Sequence, residues 1–154
     1  MKTRRAQGLR KSEGSEAENI VRDILKQHLP RHYSISINRN KGIDLYVTDG
    51  KIFNVEVKSA KEKIFQNRKG KRAPRVGTFQ LKPEDYQHAD FFGFVIKKVD
   101  DRLSWTGKTD VIFVDRKNIV KYIKQKNKFG KPVKISIRQL EKIPKMRVER
   151  RRWT

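Results

Sequence analysis

Cysteine is absent from this 154-residue chain, so no disulfide framework and no thiolate metal site can form. No run of 18 or more apolar residues occurs, and no hydrophobic segment follows the first charges. Neither a membrane span nor a secretory signal is therefore expected, and no segment reads as a basic amphipathic membrane-surface helix. An intracellular, cytoplasmic location fits. Acidic residues are scarce: 17 Asp plus Glu face 39 Lys plus Arg, a formal net charge of +22 at pH 7. Such an excess repels itself, and a polyanionic partner explains it best. Nucleic acid leads, because each phosphate neutralised releases condensed counterions. A merely soluble surface of lysines facing water is the plainer alternative.

What is present supports one folded domain. Eight Phe, four Tyr and two Trp supply a core within a 35% apolar composition. Residues 1–12 read as a flexible basic arm, 13–143 as the domain and 144–154 as a basic tail. Ala17, Ile20, Val21, Ile24, Leu25 and Leu29 share a helical face over 14–29. Ser15 and Glu18 stand at capping-box spacing before it, and Pro30 ends it. Strands are expected at 33–38, 76–81, 91–98 and 110–114 and near 133–137. The run at 91–98 is apolar enough to be buried on both faces. Short helices are expected over 83–89, 116–127 and 137–143. Residues 61–75 hold seven basic residues and one acid, with Gly and Pro as breakers, and read as a mobile basic loop. The order predicts an α/β protein with a mixed central sheet flanked by helices.

Residues 42–58, GIDLYVTDGKIFNVEVK, pose the sharper question: two strand-like runs around a turn carry Asp44, Glu56 and Lys58. A two-residue Asp-Gly turn would mix charged and apolar side chains on each face. A three-residue loop with Gly50 as a bulge pairs Leu45 with Phe53 and Asp44 with Asn54. Ile43, Leu45, Val47, Phe53, Val55 and Val57 then share one face. Asp44, Tyr46, Asn54, Glu56 and Lys58 share the other, with Glu56 one diagonal step from Asp44. Carboxylates that close resist joint ionisation unless a cation lies between them. Oxygen donors suit Mg²⁺ or Mn²⁺, and a nearby lysine can hold a water or stabilise charge developing on a phosphate. The set outlines a site for metal-assisted phosphodiester hydrolysis. It fits equally the wet side of an amphipathic sheet, since Glu-x-Lys is common in a lysine-rich chain. The histidines, His28, His32 and His88, have no ligand spacing.

Asp44 followed by Glu56-Val57-Lys58 across a hairpin resembles the PD-(D/E)xK nuclease superfamily, with Ile43 where that pattern writes proline. Lys41-Gly42-Ile43-Asp44, Glu56-Val57-Lys58-Ser59 and the helix opening Gly14-Ser15-Glu16-Ala17-Glu18 are similar to archaeal and viral Holliday-junction resolvases over roughly residues 10–60. The resemblance implies a restriction-endonuclease-like fold and a Mg²⁺-dependent DNA endonuclease. In it Asp44, Glu56, the Val57 carbonyl and Glu18 hold the metal, and Lys58 positions and activates the attacking water. Glu18 is equally explained as the partner of Ser15. Gln80 and Tyr46 are additional candidates, although a solvent-facing Gln80 is the simpler reading.

Basic residues should ring such a site. Arg10 and Lys11 precede the Glu18 helix, Arg39 and Lys41 precede Asp44, and Lys61, Arg68, Lys69, Lys71, Arg72 and Arg75 follow Lys58. Contacts of this kind hold phosphates without reading sequence, so specificity would come from DNA shape or from the C-terminal part of the chain, which the resemblance does not cover. Cutting two strands calls for two sites, hence a homodimer. A restriction or homing endonuclease of the same fold, a nuclease acting on RNA and a non-catalytic basic nucleic-acid-binding protein are the competing readings.

Overall fold

The computed structural model describes residues 4–29, 33–37, 44–48 and 52–150. Helix α1 (Arg4–His28) is followed by β1 (Ser34–Ile37), β2 (Leu45–Thr48) and the long strand β3 (Ile52–Lys61). A ribbon of β4 (Lys63–Arg68) and β5 (Lys71–Val76) comes next, then β6 (Thr78–Leu81) and the short helix α2 (Pro83–His88). Strands β7 (Phe91–Val99) and β8 (Trp105–Asp115) form a hairpin that leads into α3 (Arg116–Gln125). Strand β9 (Val133–Ser136), helix α4 (Ile137–Leu140) and strand β10 (Met146–Arg150) complete the chain.

The main sheet has the order β1-β2-β3-β7-β8-β10. Its pairs are antiparallel except β3–β7, which is parallel. The crossover between those two strands contains the β4–β5 ribbon, β6 and α2. Strands β6 and β9 make a small ribbon of their own. The result is a mixed α/β single domain with a curled mixed sheet flanked by helices.

Period-two alternation divides the core into two layers. Ile20, Val21 and Ile24 of α1 pack on Leu45, Val55, Val95 and Val111. On the other side, Phe92, Phe94, Ile96, Ile112 and Val114 meet α2, α3 and the β6–β9 ribbon through side chains such as Tyr86, Ile119, Phe79 and Ile135. Six consecutive residues of β7, Phe92 to Lys97, are buried, as the apolar run required. Gly93 lies on the α1 side of this run. A Cβ there would stand 3.1 Å from Val21 Cγ2, so its absence lets the helix approach the sheet.

Four expectations are corrected. The helix starts at Arg4, so residues 4–12 are helical rather than a flexible arm, and Ser15 lies too far inside to cap it. Arg, Ala, Gln, Leu and Lys in that stretch are strong helix formers, which the single Gly8 does not outweigh. Residues 61–75 form a β-ribbon, not a loop. Lys69 (φ 53°) and Gly70 (φ 74°) both take the left-handed region, as a tight two-residue hairpin turn requires. Pro74 is tolerated because each strand of a two-stranded ribbon is an edge. The strand expected over 110–114 is longer, since β8 begins at Trp105. The basic tail supplies β10, an edge strand on β8.

Replacing Gly93 with Val forces side-chain volume against Val21. Denaturant unfolding of Gly93→Val should show a loss of about 1–3 kcal/mol, and an unchanged midpoint would contradict the close packing of α1.

Candidate active site

Strand β3 carries the site because its two faces enter different layers. Val55 is buried towards α1, whereas Glu56 and Lys58 point into the layer of Phe92 and Phe94, their partners in the parallel register. The hairpin register differs from expectation by two residues: Leu45 pairs with Val55 and Tyr46 with Asn54. A shift of two preserves the faces, so the apolar set remains the expected one. It also brings the carboxylates closer than the expected diagonal. Continued by one residue, the register sets Asp44 directly across from Glu56, and the Asp44 N–H donates to the Val55 carbonyl at 3.2 Å. The Val57 N–H in turn donates to Asp44 Oδ2 at 2.7 Å, which fixes that carboxylate against β3.

Helix α1 brings Glu18 to the same place, where it hydrogen-bonds Asp44. Burial, then the Asp44 charge, raises the Glu18 pKa from 4.5 to about 7. The same two causes raise Glu56 from 4.5 to about 9, with Lys58 opposing them. Asp44 is raised as well: its burial outweighs the Val57 N–H, the Glu56 hydrogen bond and the Lys58 charge, which all favour ionisation. Three carboxyl groups from α1, the start of β2 and β3 thus share protons in a poorly solvated place.

Lys58 has two acidic partners. Its Nζ lies 2.9 Å from Asp85 Oδ2 and 3.4 Å from Glu56 Oε1. Burial alone would lower its pKa, but the Asp85 hydrogen bond and charge, followed by Glu56, raise it. Asp85, only 6% exposed, is a site residue that sequence reasoning missed. In the sequence it stands in the first turn of a short helix, where an acid is explained by the helix dipole. Asp85 does have that local role, accepting from the Lys82 N–H at 2.8 Å. No local signal marks its approach to Lys58. That approach is set by a clasp between the end of α2 and β3: Asn54 N–H donates to Asp90 Oδ2 at 2.7 Å, Asp90 N–H to the Asn54 carbonyl at 2.8 Å, and Asn54 Nδ2 to the His88 carbonyl at 3.2 Å.

Among the described residues no three acidic or histidine side chains are spaced as a ready-made cation shell. The donor set nevertheless fits a hard divalent cation on one observation: Glu56 Oε2 is buried with no hydrogen-bond partner among the described residues. A cation there would satisfy that oxygen and offset the burial and mutual repulsion that raise Asp44, Glu56 and Glu18.

The other candidates disperse. Gln80 is exposed on β6, between the buried Phe79 and Leu81, and takes no part in the bonds joining the cluster. Lys61, Lys69, Lys71, Arg72 and Arg75 are exposed at the end of β3 and along the β4–β5 ribbon, in the crossover that begins three residues beyond Lys58. Arg39 and Lys41 lie outside the described residues, as do the side chains of Tyr46, Arg10, Lys11 and Arg68. No family model matches this chain, and comparison with curated proteins and with solved structures likewise finds no match.

The raised carboxyl groups make the metal-free fold pH-sensitive. Each binds its proton more tightly folded than unfolded, so its contribution to stability is full below about pH 4.5. That contribution is lost as pH rises through about 7 for Glu18 and about 9 for Glu56. The Tm measured in EDTA should therefore fall across this window, and Glu56→Gln, which keeps the protonated shape, should flatten the fall. Parallel curves for the two proteins would refute the assignment. Asp85→Ala removes the closer Lys58 partner and the Lys82 cap together. We expect a loss of roughly 2–4 kcal/mol in denaturant unfolding, against less than about 0.5 kcal/mol for the exposed Glu84→Ala.

Proposed function

We propose that the protein is a divalent-cation-dependent DNA endonuclease with a restriction-endonuclease-like fold, selective for branched DNA in the manner of a Holliday-junction resolvase. The observation that carries this reading is the meeting of Glu18, Asp44, Glu56 and Lys58 at one half-buried place, with one carboxylate oxygen of Glu56 left without a partner among the described residues. Further support comes from the strand arrangement. An antiparallel β1-β2-β3 unit followed by a crossover to a parallel neighbour sets Asp44 and Glu56 side by side.

Asp44, Glu56 and the Val57 carbonyl, with Glu18 directly or through water, would hold Mg²⁺ or Mn²⁺. Such an ion supplies charge neutralisation at the phosphate and a more acidic water. The chain's own groups divide the remaining work. Lys58 stays protonated, because Asp85 and Glu56 hold its pKa above the ordinary lysine value. It therefore acts as a hydrogen-bond donor, orienting water or stabilising negative charge on the phosphate, and does not take up a proton. Asp85 positions the Lys58 ammonium. Glu18, raised to about 7 while no ion is bound, would give up its proton near neutrality as the ion takes its place. The Val57 N–H holds Asp44 in place. The ribbon's exposed cations contact phosphates, and two copies of the chain would supply the two sites needed to cut both strands.

A second reading has one observation in its favour. Lys58 is already neutralised by two carboxylates, an arrangement that also suits a structural ion-pair network in a basic nucleic-acid-binding protein. Cleavage of a four-way junction, linear duplex and single-stranded DNA, in Mg²⁺ and in EDTA at matched salt, separates the two. Metal-dependent cutting of the junction is expected, with Glu56→Ala slowed by about 100-fold or more. Preferential cutting of linear duplex would turn the reading towards a restriction-type enzyme. Tight binding with no cutting of any substrate would establish the non-catalytic reading.

A further inference from the structure

The described residues beyond Asp90 contribute nothing to the acidic cluster, yet clefts lie along them. Three adjoining clefts run from the base of the β4–β5 ribbon, across β9, to the groove between α3 and α4. The first, about 650 Å³, contains Arg75, Lys134 and Arg138. The third, about 270 Å³, shares Lys134 with the first and adds Lys128. The second, about 510 Å³, shares Tyr122, Lys126 and Gln139 with the third and adds Lys121 and Lys142. Every one of these cations is exposed, and among the described residues no acidic side chain lines any of the three clefts. The shared residues make them one continuous trench.

We infer that this trench is a second nucleic-acid-binding surface, which holds a phosphodiester backbone independently of the acidic cluster. Charge complementarity argues for a polyanion: seven cations along a concave path would repel one another without one. Its form argues for backbone rather than base contact. Tyr122 is the one aromatic residue lining the clefts among the described residues, and Lys126 Nζ lies over its ring, 5.7 Å from the centroid. A ring with a lysine over its face is no open platform for stacking a base, so the trench contacts phosphates. The fold also ties the trench to the cluster. Lys134 pairs with Gln80 across the β6–β9 ribbon, and β6 leads directly into α2, which carries Asp85. Thr78 and Gln80 are exposed and alternate with the buried Phe79 and Leu81, so Gln80 lies on the outer face with Thr78, which lines the first cleft. A strand in the trench thus passes along the element that places Lys58's partner. Under the proposed function this path suits a second arm of a branched substrate, and the inference depends on that reading only for the choice of DNA as the ligand.

The test is equilibrium binding of a fluorescent four-way junction and a linear duplex in EDTA, over a series of salt concentrations. The variants are Lys126→Ala/Lys134→Ala/Arg138→Ala and a control of equal charge loss elsewhere, Lys26→Ala/Arg102→Ala/Lys108→Ala. The trench variant should bind about 10- to 100-fold more weakly, with the slope of log K against log salt reduced by about two to three. Wild-type slope and affinity in that variant would overturn the inference, provided its Tm matches the wild type. Equal losses in the control would overturn it too, since bulk charge would then suffice. So would unchanged DNA binding with loss of polyglutamate binding, which would make the trench a site for an acidic protein. Because no metal is present, these outcomes are independent of whether the wild type cuts DNA.

Discussion

Strand β3 has to serve two layers at once, and most of the molecule follows from how it does so. Its apolar residues enter the layer under α1, and its alternate residues enter a layer that is otherwise aromatic and aliphatic. A strand in that position ordinarily reads as apolar on both faces. Here Glu56 and Lys58 take up part of the second face, where removing ions from water is costly. The structure offsets that cost with neighbours: Asp44 across the hairpin, Asp85 from α2 and Glu18 from α1. Each comes from a different element, so helix docking, the hairpin register and the crossover all bear on one small volume.

The cluster's electrostatics are unusual against the rest of the chain. A protein of net charge +22 concentrates four of its 17 acidic residues around one lysine. In such a positive field carboxylates should ionise readily, yet burial and mutual repulsion raise Glu18, Asp44 and Glu56. Local desolvation therefore outweighs the long-range field, which solvent and salt screen beyond about 10 Å. The same screening leaves the outer cations to act one phosphate at a time. An acidic, poorly solvated interior with a basic exterior is the charge arrangement a phosphodiester hydrolase needs.

Much of this was legible in the residues, for identifiable reasons. The faces of β2 and β3 were readable because burial of Leu45, Val47 and Val55 fixes parity, and parity survives a two-residue slip. The directness of the Asp44–Glu56 approach was not, because loop geometry rather than hydrophobicity selects among registers of equal parity. The both-sided burial of β7 followed from its apolar run. The β4–β5 ribbon was missed because Gly70 and Pro74 read locally as breakers, whereas a two-stranded ribbon accepts both. The N-terminal part of α1 was missed because charge suggested an arm, although the same residues favour helix. Gln80 was weighed for the site because it follows Lys58 on a nearby strand, but alternation on β6 turns it outward.

The sequence by itself determined what depends on composition and period: an α/β chain, a basic surface, two core faces on β3 and the common face of Asp44, Glu56 and Lys58. Tertiary structure alone decided which distant groups complete that set. Asp85 reaches Lys58 only because Asn54 and Asp90 clasp α2 to β3, and the trench exists only because α3, α4 and β9 meet the base of the ribbon. Local pattern records which face a residue takes, since that depends on its neighbours in the chain. It carries no record of which remote element will cover that face, because that choice is made by packing the whole.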